Sequence, residues 1–542
     1  MMRSMLKARW GSTRGIRAVW ACCSSICLAS LFSGCQTSVE TPAAFEELML
    51  TLERPTEIAV REGTERPPEA IASFCGDCHA LPQPGSFERD VWYDEVRLGF
   101  EMYARSGRTD LTPPTIASVV QYYRQRAPLR LEFPEPPEVD QSWAARFETT
   151  KLDWLDQAYI TPAVASVQWL ELMAPGVQHL VACDMRDGSV SLVDPNPESS
   201  TRTVLARLGS PSRVAMCDLD EDGWQDLIVA DLGSMKPFEH GFGQIVWLRR
   251  QPESETFEPR ALVQGLGRVS DVVAGDFNDD GALDIVAAEF GHRLSGGIRL
   301  LTNTSRDRSQ PTFAVSEVDQ RPGTVQLVPQ DWNRDGHMDI AAVISQEYEA
   351  VELFLGGENH WKRQGVWQAP DLTFGSVGAT PADLDGDGDM DLLYVNGDTF
   401  DNNYANPAHG LQWLENQGQG EFAYHRLLDL PGAYRAVAAD FDGDDDLDIV
   451  AVANLPRGVK PLALQSSETV SIVVLEQIRP LEFATRVLER GTPRYPALEC
   501  GDFDQDGRVD FAVGAQLFGS DDAESAAAKL PRLTVWWNRQ ER

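Results

Sequence analysis

The sequence predicts an all-β, seven-bladed β-propeller preceded by a small all-α domain. Three observations carry this expectation. A motif of the general form D-x-[DN]-x-D-G-x-x-D, followed by an apolar strand, recurs six times at start-to-start spacings of 52 to 62 residues. Two further strand signals recur in phase with it, giving four short strands per repeat, the unit of a propeller blade. Ahead of the repeats, the C-x-x-C-H sequence Cys75-Gly76-Asp77-Cys78-His79 sits among helical segments.

The chain has 542 residues, 42% of them hydrophobic, so it can bury a large core. Its formal net charge is −36. That excludes nucleic acid as a partner, because a phosphate backbone needs a basic face. The nine cysteines do not form a disulfide framework. Four fall in or end the N-terminal segment, two make the C-x-x-C pair, and Cys183, Cys217 and Cys500 are scattered.

Residues 1–18 hold Arg3, Lys7, Arg9, Arg14 and Arg17 and no acidic residue. An apolar run from Val19 to Phe32 follows, too short to span a bilayer, and then Ser33-Gly34-Cys35. This order predicts a secretory signal over residues 1–34. Leu31-Phe32-Ser33-Gly34-Cys35 resembles the bacterial lipobox, with Phe32 where that motif usually has an aliphatic residue. The resemblance implies acylation of Cys35 and export to the periplasm or cell surface, with the outer membrane favoured by Gln36. The membrane would then be reached through a lipid anchor only. Residues 35–65, rich in Thr, Glu and Pro, read as a flexible tether.

In C-x-x-C-H, two thiols three positions apart reach both vinyl groups of one haem, and the adjacent imidazole lies beneath the iron. A zinc site would want a second C-x-x-C, and a thioredoxin-like pair would want a βαβ pattern; the sequence offers neither. Residues 66–130 resemble a small monohaem cytochrome c. That implies one covalent haem c on Cys75 and Cys78, with His79 as proximal ligand. A short helix can precede the motif. Thr112-Pro113-Pro114 reads as the cap and first turn of an amphipathic helix through Tyr123, ended before Pro128. Met102 is the one methionine available as sixth ligand, but its context is helical, so a core methionine beside a five-coordinate iron stays open. Residues 131–145, with Pro134, Pro136 and Pro137, read as a stiff, Pro-rich linker.

The aspartate motif supplies six candidate cation loops. They are Asp218, Asp220, Asp222 and Asp226; Asp276, Asn278, Asp280 and Asp284; Asp331, Asn333, Asp335 and Asp339; Asp383, Asp385, Asp387 and Asp391; Asp440, Asp442, Asp444 and Asp448; and Asp502, Asp504, Asp506 and Asp510. Each opens an apolar strand, such as Asp284-Ile285-Val286-Ala287-Ala288. A third-strand signal recurs as Val246-Trp247-Leu248, Gln412-Trp413-Leu414 and their counterparts. A fourth-strand signal opens with an aromatic residue at Phe257, Phe313, Phe422 and Phe483. A degenerate seventh unit comes first, with second strand His179–Cys183, third strand Ser189–Val193, and Gln168-Trp169-Leu170 where the aspartates should stand. The last unit lacks a fourth-strand signal, and a spare one, residues 147–152, precedes the first blade. Pairing the two closes the ring and leaves no unpaired edge.

Hard oxygens at positions 1, 3, 5 and 9, with Gly at 6 for a tight turn, fit calcium. An EF-hand would need flanking helices and Glu at position 12, whereas strands flank these loops. The pattern over residues 146–542 resembles the FG-GAP (VCBS, integrin-α-type) repeat. By that resemblance each loop joins the first two strands of a blade and the chain takes about six Ca2+. The fifth loop departs from the pattern with Asp445 in place of Gly. The 22 carboxylates at ligand positions account for much of the negative charge.

No nucleophile elbow, nucleotide loop or H-E-x-x-H is present, so the sequence names no catalytic residue. Second strands end in Asp184, Asp231, Glu289, Asn396, Asn454 and Gln516, and the following loops hold His240, His292 and His409. These are polar strand caps or a ligand site on the face opposite the cation loops. Two functional expectations follow. One is an electron-transfer or interaction protein whose partner is a redox protein, an envelope protein or a polysaccharide. The alternative is an oxidoreductase that binds substrate on the propeller face and passes electrons to the tethered haem. A sensing or structural haem is a third possibility, favoured by a five-coordinate iron.

Overall fold

A continuous apolar strand can be buried only if both its faces are covered. The second strands Asp226–Asp231, Asp284–Glu289, Asp339–Ile344, Asp391–Asn396 and Asp448–Ala453 are buried at every position. The computed structural model shows what covers them. It describes residues 67–77, 81–135, 137–153, 161–196, 201–251, 253–291, 295–357, 361–370, 372–400, 402–517 and 530–539. Seven four-stranded antiparallel sheets follow one another around a ring, each packing its faces on two neighbours. The chain is an all-β seven-bladed propeller in this region.

Blades one to six take consecutive strands over residues 164–207, 211–266, 269–319, 324–368, 376–429 and 433–490. Blade seven is composite. Its inner strands run over residues 497–538, and its outer strand is Phe147–Leu152. That strand pairs antiparallel with Leu533–Asn538, from Phe147 opposite Asn538 to Leu152 opposite Leu533. Phe147 is buried edge-on against Phe511, ring centroids 5.2 Å apart, and Trp537 Nε1 donates to Thr150 Oγ1 at 2.9 Å. The ring closes as the spare strand signal predicts.

One local expectation needs correction, and two further details add to the sequence reading. In blade one, Gln168-Trp169-Leu170 lies inside the first strand, Val164–Ala174, and not in a loop. A tight turn at Pro175-Gly176, with Gly176 at φ +75°, replaces the aspartate loop there, so no excursion remains to hold a cation. The fourth strands of blades one and four, Arg202–Arg207 and Lys362–Gln368, open without an aromatic residue and gave no signal. The stiff linker also covers propeller surface. Phe133 packs against Ala405, Leu455 and Val459, and Val139 bridges to Val487, because its apolar residues find blade surfaces to cover.

The helical region comprises α1 (Glu69–Cys75), α2 (Trp92–Ser106), α3 (Ile116–Arg126) and the single turn α4 (Gln141–Ala144). Residues 94–112 cluster apart from residues 67–93 and 113–539, which share a compact unit with the propeller. In the smaller group, Arg97 pairs with Glu101 at 3.3 Å along the helix, and Tyr103 Oη accepts from Leu111 N. In the larger, α3 is capped by Thr115, whose hydroxyl accepts from Ser118 N at 3.2 Å. The expected cap at Thr112 is therefore displaced by three residues, since Pro113 and Pro114 stay extended ahead of the helix. Trp92 stacks on Tyr123 at 4.0 Å, Arg124 pairs with Asp90 at 2.7 Å, and Phe87 meets Tyr404 of the propeller edge-on at 5.7 Å.

The closing strand should carry much of the ring's stability. Phe147→Ala is expected to destabilise by about 3–5 kcal/mol, the usual range for emptying a buried aromatic site. Glu148→Ala beside it, on the solvent side, should stay within about 0.5 kcal/mol. Denaturant unfolding of both variants checks this.

Candidate functional site

All six aspartate motifs form loops between the first and second strands of a blade. Blade two shows how the residues build one. Asp218 accepts from Asp222 N at 3.0 Å and Gly223 N at 2.9 Å, which folds the loop back on its own start. Asp222 Oδ1 accepts from Trp224 N at 3.0 Å. Asp226 is fully buried and accepts from Arg250 N at 2.7 Å and Trp247 Nε1 at 2.8 Å. The first aspartate is thus a loop closer and the last a latch.

The other loops repeat this wiring. Asp276, Asp331 and Asp502 each accept from the backbone N–H groups of positions 5 and 6. The latch carboxylates Asp284, Asp339, Asp391, Asp448 and Asp510 each take a backbone N–H from the end of the third strand, at 2.7–2.9 Å. Positions 4 and 6 are both left-handed in every loop: Glu221 (φ 55°) and Gly223 (φ 89°) in blade two, Gly443 (φ 83°) and Asp445 (φ 73°) in blade six. Asp445 therefore keeps the glycine conformation, and its N–H reaches Asp440 at 3.1 Å as Gly223 reaches Asp218. Aspartate tolerates this region better than most residues.

Carboxylate oxygens converge within 4.8 Å of one another in Asp218/Asp220/Asp226, Asp383/Asp385/Asp387, Asp440/Asp442/Asp448 and Asp502/Asp504/Asp510. Three of these residues hold a buried oxygen without a hydrogen-bond partner, Asp220 Oδ1, Asp383 Oδ1 and Asp442 Oδ1, as do Asp284 and Asp446 outside the four clusters. Burial pushes Asp226, Asp284, Asp339 and Asp391 up to about 6, and Asp448 and Asp510 up to about 7, with neighbouring aspartates adding to the shift. A cage of buried, mutually repelling, partly unpartnered hard oxygens has the chemistry of a divalent cation site. Arginines offset part of the charge. Arg249 Nε lies 2.5 Å from Asp220 and Arg539 Nη1 2.6 Å from Asp504. Adjacent loops are also tied, His337 to Asp279 at 2.5 Å and Arg334 to Asp389 at 2.6 Å.

On the opposite face the polar strand ends act as caps. Asp231 accepts from Gly209 N, Ser210 N and Gly233 N, and Glu289 from Gly267 N and Arg299 Nε. Asp184 meets Arg532 at 3.0 Å, Asn396 donates to Phe374 O and Ala408 O, and Asn454 donates to Gln516. His240 stacks on Phe242, and His409 is buried, its imidazole pushed down to about 3 by burial and by Arg426; His292 lies outside the described residues. One group escaped sequence reasoning. Glu349 is buried in the turn of blade four and accepts from both Ser376 N and Ser376 Oγ at 2.6 Å, its carboxyl pushed up to about 8 by burial.

Cys75 is the last residue of α1, half-buried, its thiol pushed up to about 11 by burial. Close to it, Tyr123 of α3 is buried with no partner for its hydroxyl, and both burial and the Cys75 charge raise that hydroxyl. Met102 lies within α2, as its helical context predicts. Cys35, Cys78 and His79 lie outside the described residues.

Residues 218–287 and 296–394 match the FG-GAP-like repeat, from the first aspartate loop to the second strand of blade five. The chain carries FG-GAP-like repeats. Similar solved structures include BBS1N in complex with ARL6DN (12% identity, 72% of this chain and 98% of that one, TM-score 0.42). The Dos1 propeller (10%, 70% and 78%, TM-score 0.40) and rhamnogalacturonan lyase YesW (12%, 72% and 76%, TM-score 0.39) are others. No curated protein matches the sequence.

Glu349 yields a pH test. With its carboxyl at about 8 against an ordinary 4.5, the folded state holds a proton that the unfolded chain releases. Stability from this group is present below about 4.5 and is lost as pH rises towards about 8. Relative to wild type, Glu349→Gln should therefore gain unfolding temperature steadily across that window. A difference that stays flat with pH would contradict the assignment.

Proposed function

We propose that this chain is an exported, lipid-anchored monohaem c-type cytochrome whose propeller is braced by calcium and presents a binding face. Electron transfer with a partner protein, or docking to an envelope protein or polysaccharide, is its function. The observation that carries this reading is Cys75-Gly76-Asp77-Cys78-His79, a sequence whose first cysteine ends helix α1, in a chain whose first 35 residues read as a lipoprotein signal. Cys75 and Cys78 would hold the haem and His79 its iron. The buried Tyr123 hydroxyl beside Cys75, without a partner of its own, supports a polar or metal-bearing group at this point. When bound, haem supplies a one-electron couple. The chain's part would be to exclude water, a role that the buried, stacked Trp92 and Tyr123 suit.

The orphaned carboxylate oxygens support calcium in the loops, and FG-GAP-like propellers suit interaction. A site filled at a hundred times its dissociation constant adds about 2.7 kcal/mol to folding. Chelation should thus lower the unfolding temperature, and calcium should restore it. Asp383→Ala should remove one equivalent from a calorimetric calcium titration of the full chain. A chelator-insensitive transition would reject calcium.

The haem test is a pyridine haemochrome spectrum after denaturation of protein matured in a periplasm competent for haem c attachment. A covalent c-type spectrum, lost in the Cys75→Ala/Cys78→Ala double variant, is expected. Haem that extracts freely, or none, rejects the cytochrome reading and leaves the calcium result standing.

A further inference from the structure

The first strand of each blade lines the propeller axis. After a bulge in blades two to six, the residue opposite the penultimate position of the second strand occupies the same ring level: Arg213, Asp271, Gln326, Gly378 and Arg435. Blade one puts Ser166 at this level, and blade seven Ala497, opposite Gly514, the residue as far beyond Asp510 as Ala230 is beyond Asp226. Within the ring lies a cavity of about 90 Å3, lined by Arg213, Arg435, Gln326, Thr380 and Glu499. Two guanidinium groups therefore face one small space.

One buried carboxylate, Asp271, serves both guanidinium groups: it pairs with Arg213 and its charge also reaches Arg435. Asp271 is buried and accepts from Val272 N and Leu327 N, both at 2.9 Å, while Arg213 Nε stands 3.5 Å away. Arg435 Nη1 donates to two backbone carbonyls, Tyr434 O at 3.0 Å and Val377 O at 3.3 Å. Among the described residues no carboxylate pairs with it. Glu499 accepts from Cys500 N; burial pushes it up to about 7, against the pull of that bond and of the Arg213 charge. Burial and the charge of Arg213 pull Arg435 down to about 10, with Tyr434 and Asp271 offsetting only part of the shift. Like charges sharing a poorly solvated space are costly unless an anion lies between them.

The room for Arg435 depends on one glycine. A Cβ at Gly378 would sit 2.6 Å from Arg435 Nη1 and 2.4 Å from Gln326 Oε1. Gln326 in turn is fixed by both backbone groups of Ala379, donating at 2.8 Å and accepting at 3.2 Å. The pocket is thus held open by a missing side chain and walled by a fixed amide. Its volume is about that of three waters, each taking roughly 30 Å3 in the liquid.

We propose that the propeller axis is a binding site for a small oxyanion, a carboxylate or a sulfate- or phosphate-like group, held between Arg213 and Arg435. Guanidinium forks match such groups geometrically, and Gln326 and Thr380 add polar contacts beside them.

The test uses the full chain with calcium held constant and ionic strength matched by chloride. Sulfate and acetate are titrated while the unfolding temperature and binding heat are followed. Saturable binding of at least one is expected in wild type, weakened about tenfold or more in Arg435→Gln and in Arg213→Gln. Arg363→Gln, on an exposed side chain of blade four, should bind as wild type does. No saturable binding of either anion in wild type, or equal binding in both axis variants, overturns the site. Should either variant fail to fold, selenate soaked into wild-type crystals decides. Anomalous density on the axis between the two guanidiniums supports the proposal, and density confined to other places rejects it.

Discussion

Everything in the aspartate-bearing blades depends on a carboxylate buried where the second strand begins. The latch residue takes a backbone N–H from the start of the loop behind it, as Asp339 does from Trp332 N, and another from the end of the third strand, so one side chain ties three pieces of backbone. Its environment also makes it expensive to ionise, since Asp226 through Asp510 are wholly shielded from water. Backbone N–H groups offset part of that penalty, and the loop's other acids add to it. The fold has therefore gathered more negative charge at each loop than hydrogen bonding alone can neutralise. A cation at the loop would remove the imbalance at its source, and Arg249 and Arg539 relieve it in part at two loops.

The two ends of the blades are built on different chemistry. At the loop end, acids crowd together and some of their oxygens lack partners. At the opposite end, the same residue types each meet a donor: Asp231 is satisfied by three backbone N–H groups and Glu289 by a backbone N–H and an arginine. Acidic side chains at one end favour a cation, and at the other they serve as blade-to-blade stitches. The axis differs again, with arginines facing the open space. One scaffold thus holds three electrostatic environments, separated by apolar blade faces.

Much of the architecture was legible because the signals were periodic. Six aspartate loops and in-phase apolar runs fix the blade count, and the spare signal at 147–152 fixes the closure. What escaped was single or non-local. Blade one has no aspartates to mark its turn, so Gln168-Trp169-Leu170 could not be told from a loop remnant. Thr112 and Thr115 are both competent caps, and only the extended backbone at Pro113-Pro114 decides between them. The double duty of the latch aspartates was invisible because ligand spacing and hydrogen-bond spacing coincide. The axial ring was out of reach altogether, since Arg213, Gln326 and Arg435 share no motif and meet only through blade register.

The composite blade also imposes an order on events. Thr150 and Trp537 are bonded partners 387 residues apart, so the outer strand of blade seven is synthesised first and finds its partner last. Until then it is a solitary strand, and the growing ring has an open side. Such edges invite pairing with the wrong chain. The outward positions of this strand, however, include Glu148 and Lys151, both exposed. Charges there discourage stacking with a stranger while the apolar Phe147 and Leu152 wait for their own sheet. The seam that completes the propeller is in this sense guarded against premature closure by a neighbour.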